Sequence, residues 1–156
     1  MNRIRTTVLT MTLAMVLVAT PFSLGVMSAV NDTTPNCSPP PGAYNPNVTQ
    51  ANIYQTICVR GWTATIRPPE SYTEPLKREM IADRHLPRTV RDYELDHFIP
   101  LELGGAPTDP NNLWPQPWDQ ARRKDKWEYA LNRAVCSGRM SLADARRKIA
   151  DPHLWW

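Results

Sequence analysis

Apolar positions along the chain fall into short runs divided by proline and polar clusters, and the spacing inside each run predicts an element. Thr73 ahead of Glu74-Pro75-Leu76 is a helix start with proline in the first turn, and Leu76, Met80 and Ile81 carry an apolar stripe to about His85. Tyr93 to Ile99 has the aromatic and branched residues of a strand. Pro100 interrupts it, Leu101 and Leu103 are placed to resume pairing, and Gly104-Gly105 supply a turn. A longer helix is predicted from Asp119 to Cys136, with Trp127, Ala130, Leu131 and Ala134 on its inner face and Gly138 closing it. Ser141 with Asp144 opens a last short helix through Ile149, ended by Asp151-Pro152. Ile53 to Thr65 reads as short β-prone runs around Gly61. Trp114, Trp118 and Trp127 are read as core, and Trp155-Trp156 as a tail folded back onto the domain. Strands and helices in this order predict an α+β fold.

Composition narrows the class. The 156 residues hold 42% apolar and 21% charged positions, which fits neither a disordered tail nor a multi-span membrane protein, and sixteen prolines against six glycines predict many fixed, irregular connections. Arg3 and Arg5 precede an uncharged stretch from Thr6 to Asn31, followed in its later part by Pro21 and small residues. That order reads as a secretory signal peptide over residues 1–30; an uncleaved anchor is the alternative, because the stretch is long enough to cross a bilayer of about 30 Å. Without the leader the charge balance is 16 basic against 15 acidic, so net charge says little about partners. Residues 31–48, rich in Pro, Asn, Ser and Thr, are expected to form an extended arm, and residues 49–156 the domain proper.

Export implies an oxidising compartment, so the three cysteines are read first as disulfide material. Cys58 lies in an apolar run and Cys136 closes a helical pattern, whereas Cys37 sits among prolines; the expected bridge is Cys58 to Cys136. Cys37 is left as a free or intermolecular thiol, with a lipid-anchor role as the alternative.

The stretch that carries chemistry is Asp96-His97, with Ile99-Pro100 two residues on, the Gly104-Gly105 turn, Asn112-Leu113 fifteen residues after the histidine, and then a basic amphipathic helix. An isolated Asp-His pair is most simply a strand histidine held by a carboxylate, since a strand sends neighbouring side chains to opposite faces. In this company the order resembles the HNH, or His-Me finger, nuclease superfamily, in which a β-hairpin and a helix enclose one divalent metal. The resemblance covers Tyr93 to about Glu128, and the wider frame is similar to small exported bacterial proteins carrying such a finger.

The resemblance implies a small single domain centred on a ββα-metal finger flanked by helices. It implies Asp96 as a metal ligand, His97 as general base, and Asn112 as the residue ordering the loop whose backbone holds His97. The superfamily's usual helix ligand, nine residues after that asparagine, falls on Ala121, which cannot bind metal. Asp125, one turn later on the same face, is the expected replacement, with Gln120 and Asp119 as substitutes. The implied cofactor is one divalent ion, Mg²⁺ first, then Mn²⁺ or Zn²⁺. Phosphodiester cleavage asks for these groups: an imidazole titrates near neutrality, and a hard cation on carboxylates neutralises charge at the phosphate.

From Asp119 to Asp151 there are nine basic against five acidic residues, a field that attracts phosphate backbones without reading bases. The expected partner is therefore nucleic acid, DNA ahead of RNA, for a monomeric, secreted or periplasmic endonuclease of little sequence preference, with no lasting membrane association once the leader is removed. A non-catalytic exported module using the same finger as a scaffold for nucleic acid or a partner protein is the alternative. An antagonistic toxin would add an immunity protein.

Overall fold

Tyr93–His97 (β1) and Leu113–Pro117 (β2) form an antiparallel two-stranded ladder in which Leu95 lies opposite Pro115 and His97 opposite Leu113. The structure, a computed structural model, describes residues 38–156; the expected leader and residues 31–37 of the expected arm, Cys37 among them, lie outside the described residues. Around the ladder, among the described residues, are four α-helices, Trp62–Ile66 (α1), Glu70–Asp83 (α2), Trp118–Cys136 (α3) and Leu142–Ile149 (α4), joined by short 3₁₀ turns. The mixture is α+β. No helix among the described residues is long and apolar enough to cross a membrane.

Several elements differ from expectation. Ile53 to Thr65 is helical: a 3₁₀ turn over Gln50–Gln55 leads to α1. The Asn52 side chain accepts from the Thr49 N–H at 2.8 Å, and Ile53 and Ile57 both enter the core instead of alternating as strand residues would. Helix α2 begins one turn before Thr73, directly after Pro69, and carries Pro75 inside it. Leu101–Leu103 does not resume the strand but coils into a 3₁₀ turn, with both leucines buried and Gly104 closing it at φ +71°. The strand partner is β2, a segment holding two prolines.

Helix α3 presents Ala121, Lys124, Leu131 and Val135 inward, not Trp127, Ala130 and Ala134. Trp114 is buried, whereas Trp118 and Trp127 are exposed. Trp155 does fold back: it is buried, donates from Nε1 to the Ile149 carbonyl and packs edge-on against Phe98 and Trp114. Residues 38–48 belong to the domain more closely than an extended arm would. The Gly42 and Asn45 N–H groups donate to the Asn111 and Gly104 carbonyls, and Val48 is in the core. Ser141 caps α4 by accepting from the Asp144 N–H.

Cys58 and Cys136 are joined in a disulfide, as expected, closing a 78-residue separation. Loop-closure entropy makes this cross-link worth about 4 to 5 kcal/mol. Urea denaturation with and without reductant should show that loss; coincident midpoints would mean the core alone holds the chain.

Candidate active site

The connection between β1 and β2 is held from inside by one side chain. Asn112, fully buried, accepts at Oδ1 from the Ile99 N–H at 2.8 Å and the Ala43 N–H at 3.3 Å, and donates from Nδ2 to the Ile99 and Ala106 carbonyls at 2.9 Å each. It thus satisfies main-chain groups that an irregular buried loop would otherwise leave unpaired. Gly105 is essential to the closure, because a Cβ there would fall 1.7 Å from the Ile99 oxygen. The loop so tied brings the Pro107 carbonyl to His97.

His97 is 5% exposed, and its Nε2 lies 3.0 Å from Pro107 O. A carbonyl only accepts, so Nε2 carries the ring proton and Nδ1 keeps the lone pair of a neutral imidazole. Burial lowers the ring's pKa below its ordinary value, outweighing the opposing pull of the Pro107 carbonyl and Asp96. The histidine lines an open cleft of about 410 Å³ between β1 and α2, together with Glu94, Leu95, Arg67, Glu74, Lys77 and Trp118. Glu74 is paired to Lys77 at 2.6 Å, while Arg67 is largely exposed and only 3.9 Å from Glu102.

Asp96 is bonded instead to its own strand and to α3. Its Oδ1 accepts from the His97 N–H at 2.7 Å, and its Oδ2 accepts from Lys124 Nζ at 2.9 Å. Lys124 also donates to the His97 carbonyl at 2.7 Å and to Glu128 Oε1, so all three ammonium protons are placed. Burial alone would lower the lysine's pKa, but Asp96 and Glu128 overcome it and hold the group charged. Burial pushes Glu128 up to about 8 despite its lysine partner. Glu94 is pushed up to about 7, first by burial and then by the charges of Asp96 and Asp125.

Ala121, at the usual ligand position, is a fully buried core residue. Asp125 lies on the exposed side of α3, where partial burial and then the charge of Asp96 raise its pKa. The two aspartates therefore sense each other, but Asp96 already has both oxygens bonded, one of them to a cation. As arranged, the pair does not fit a divalent metal, and among the described residues no three His, Cys, Asp or Glu side chains converge as metal ligands would.

Sequence reasoning missed Lys124, hidden in the run Arg122-Arg123-Lys124, and assigned Glu94 no role. The signal for Lys124 was its spacing: Ala121, Lys124, Glu128, Leu131 and Val135 recur at steps of three and four, the inner stripe of a helix. No family model, no curated protein and no solved structure matches the chain.

Proposed function

We propose that the chain is an exported hydrolase of phosphodiester bonds in nucleic acid, built on a His-Me-type ββα finger formed by β1, β2 and α3, with the reaction in the cleft between β1 and α2. The observation that carries this reading is the pair of shifted groups in one cleft: a neutral imidazole fixed through Nε2, and a carboxyl raised to about 7. Lowering the histidine below its ordinary value while raising the glutamate to about 7 opens a pH range in which the base is neutral and the acid still holds its proton, which is what general acid–base catalysis needs.

Water gives its proton to His97 Nδ1, and the hydroxide attacks phosphorus. The bond from phosphorus to the departing sugar oxygen breaks, and the Glu94 carboxyl donates its proton to that oxygen. Arg67, exposed on the cleft wall, offers its charge to the phosphate. Asn112 acts at a distance by tying the loop that presents Pro107 O. Exposed Arg122, Lys126, Arg133, Arg139, Arg147 and Lys148 supply sequence-independent attraction for a nucleic-acid backbone. No step is routed through a metal, since the Asp96 and Asp125 pair does not fit one.

Cleavage of plasmid DNA and of RNA across pH 5 to 8 tests the proposal. Activity requires His97 unprotonated and Glu94 protonated. The acid limb should therefore lie below the ordinary imidazole value of about 6.5, and the alkaline limb near the Glu94 value of about 7. Glu94→Gln should lower the maximal rate about 10²-fold and abolish the alkaline limb, because an amide does not titrate. An unaltered alkaline limb in that variant would remove Glu94 from the mechanism.

A second reading, an exported non-catalytic module that binds nucleic acid or a partner protein, is favoured by one observation: Lys124 already occupies Asp96. Absence of any cleavage, with salt-dependent retention of nucleic acid, would select it.

A further inference from the structure

Most charged side chains of α3 lie in solvent, yet Lys124 is 0% exposed. A cation survives such burial only when oxygens replace the water it has lost. Here Asp96 Oδ2 arrives from β1 at 2.9 Å, the His97 carbonyl from the end of the same strand at 2.7 Å, and Glu128 Oε1 from the next turn of α3. Two carboxylates and a main-chain carbonyl converging on one positive centre are also the donor set that a hard divalent ion selects.

We propose that the Lys124 ammonium is the resident cation of this junction: it keeps Asp96 and Glu128 from binding a divalent ion in the wild-type protein, and shortening Lys124 turns the same oxygens into a site for Mn²⁺ or Mg²⁺. Truncation to alanine removes the ammonium and empties the volume of its stem. The ion and the waters such cations retain then have room, and the ladder of β1 stays tied to α3 through metal instead of nitrogen. The inference stands apart from the hydrolytic reading, because cation binding is measured with no substrate present.

The disulfide-bonded chain is titrated with Mn²⁺, following the loss of the free-ion electron paramagnetic resonance signal, as wild type, Asp96→Asn, Lys124→Ala and Lys124→Ala/Glu128→Gln. Wild type should show no site that Asp96→Asn abolishes. Lys124→Ala should bind one Mn²⁺ at least tenfold more tightly than wild type and lose that gain in the double variant. If Lys124→Ala unfolds, refolding it with Mn²⁺ but not without supports the proposal equally. Stoichiometric Mn²⁺ binding by wild type that Asp96→Asn removes would overturn it. So would a folded Lys124→Ala that binds no better than wild type, or an unfolded one that Mn²⁺ does not rescue.

Discussion

Replacing His97 with glutamine is expected to lower phosphodiester cleavage about 10³-fold while leaving the domain folded. Glutamine is chosen over alanine for a physical reason. The Nε2 of His97 lies 3.0 Å from the Pro107 carbonyl, and the side chain is 5% exposed, so truncation would orphan a buried acceptor and open a cavity. A glutamine amide can donate to the same carbonyl, yet it has no basic lone pair to take a proton from water. The variant thus separates holding the loop from activating the nucleophile. The measurement is initial rate on plasmid and RNA at pH 6.5, beside a thermal melt of the same sample. Wild-type rates from a folded His97→Gln protein would end the hydrolytic proposal.

Sequence logic reached the elements whose signal is local. The Ser141 cap, the span of α3 to within a residue, the Cys58–Cys136 bridge and the returning Trp155 all follow from a cap, a period or an apolar environment readable within a few positions. What it missed depends on partners distant along the chain. Leu113–Pro117 contains two prolines and reads as a breaker. It pairs because the sheet, among the described residues, has two strands, each with an edge free of ladder bonds where a residue lacking an N–H does no harm. Leu101 and Leu103 have the alternation of a strand, but Pro100 and Gly104 bend them into a turn that buries both.

The site divides in the same way. Asp96, His97 and Asn112 are recognisable by order and spacing, and the structure gives each a definite set of contacts. Asn112 pins the loop, the loop presents Pro107 O, and that carbonyl fixes the tautomer of His97. Glu94 was indistinguishable from any exposed strand glutamate until burial and the neighbouring Asp96 and Asp125 raised it to about 7. The face of α3 was misjudged because aromatic and alanine positions were taken as the apolar stripe. The true stripe admits a lysine at its centre, since oxygens from two elements replace the water the ammonium loses.

Lys124→Met is expected to be among the most destabilising single substitutions in the domain, by about 3 to 5 kcal/mol at pH 7.5, the range for breaking a buried ion pair, because Asp96 loses its cation and Glu128 and the His97 carbonyl lose a donor. Methionine fills much of the lysine stem, so the loss isolates the charge from the cavity. It strands Asp96 Oδ2, Glu128 Oε1 and the His97 carbonyl together. The sign of the pH dependence follows from the carboxyl that is already raised. Glu128 sits at about 8 with the lysine present to lower it, so without the lysine its folded pKa moves higher still. Between the ordinary unfolded value of about 4.3 and that folded value, folding takes up a proton, so the variant's stability falls as pH rises through the window. Wild type shares that slope, because its own Glu128 is already pushed up to about 8, so the deficit should stay nearly constant from pH 5 to pH 7.5 while the Glu128 contribution falls in both proteins. Adding Asp96→Asn and Glu128→Leu to Lys124→Met removes both carboxylates, while the amide oxygen introduced by the first of these can still accept from the His97 N–H. That triple variant should recover most of the stability, because an apolar replacement of a whole buried ion group is often neutral. Urea denaturation of wild type, Lys124→Met and the triple variant at both pH values decides the matter: no recovery in the triple variant would mean that the lysine contributes packing and not charge.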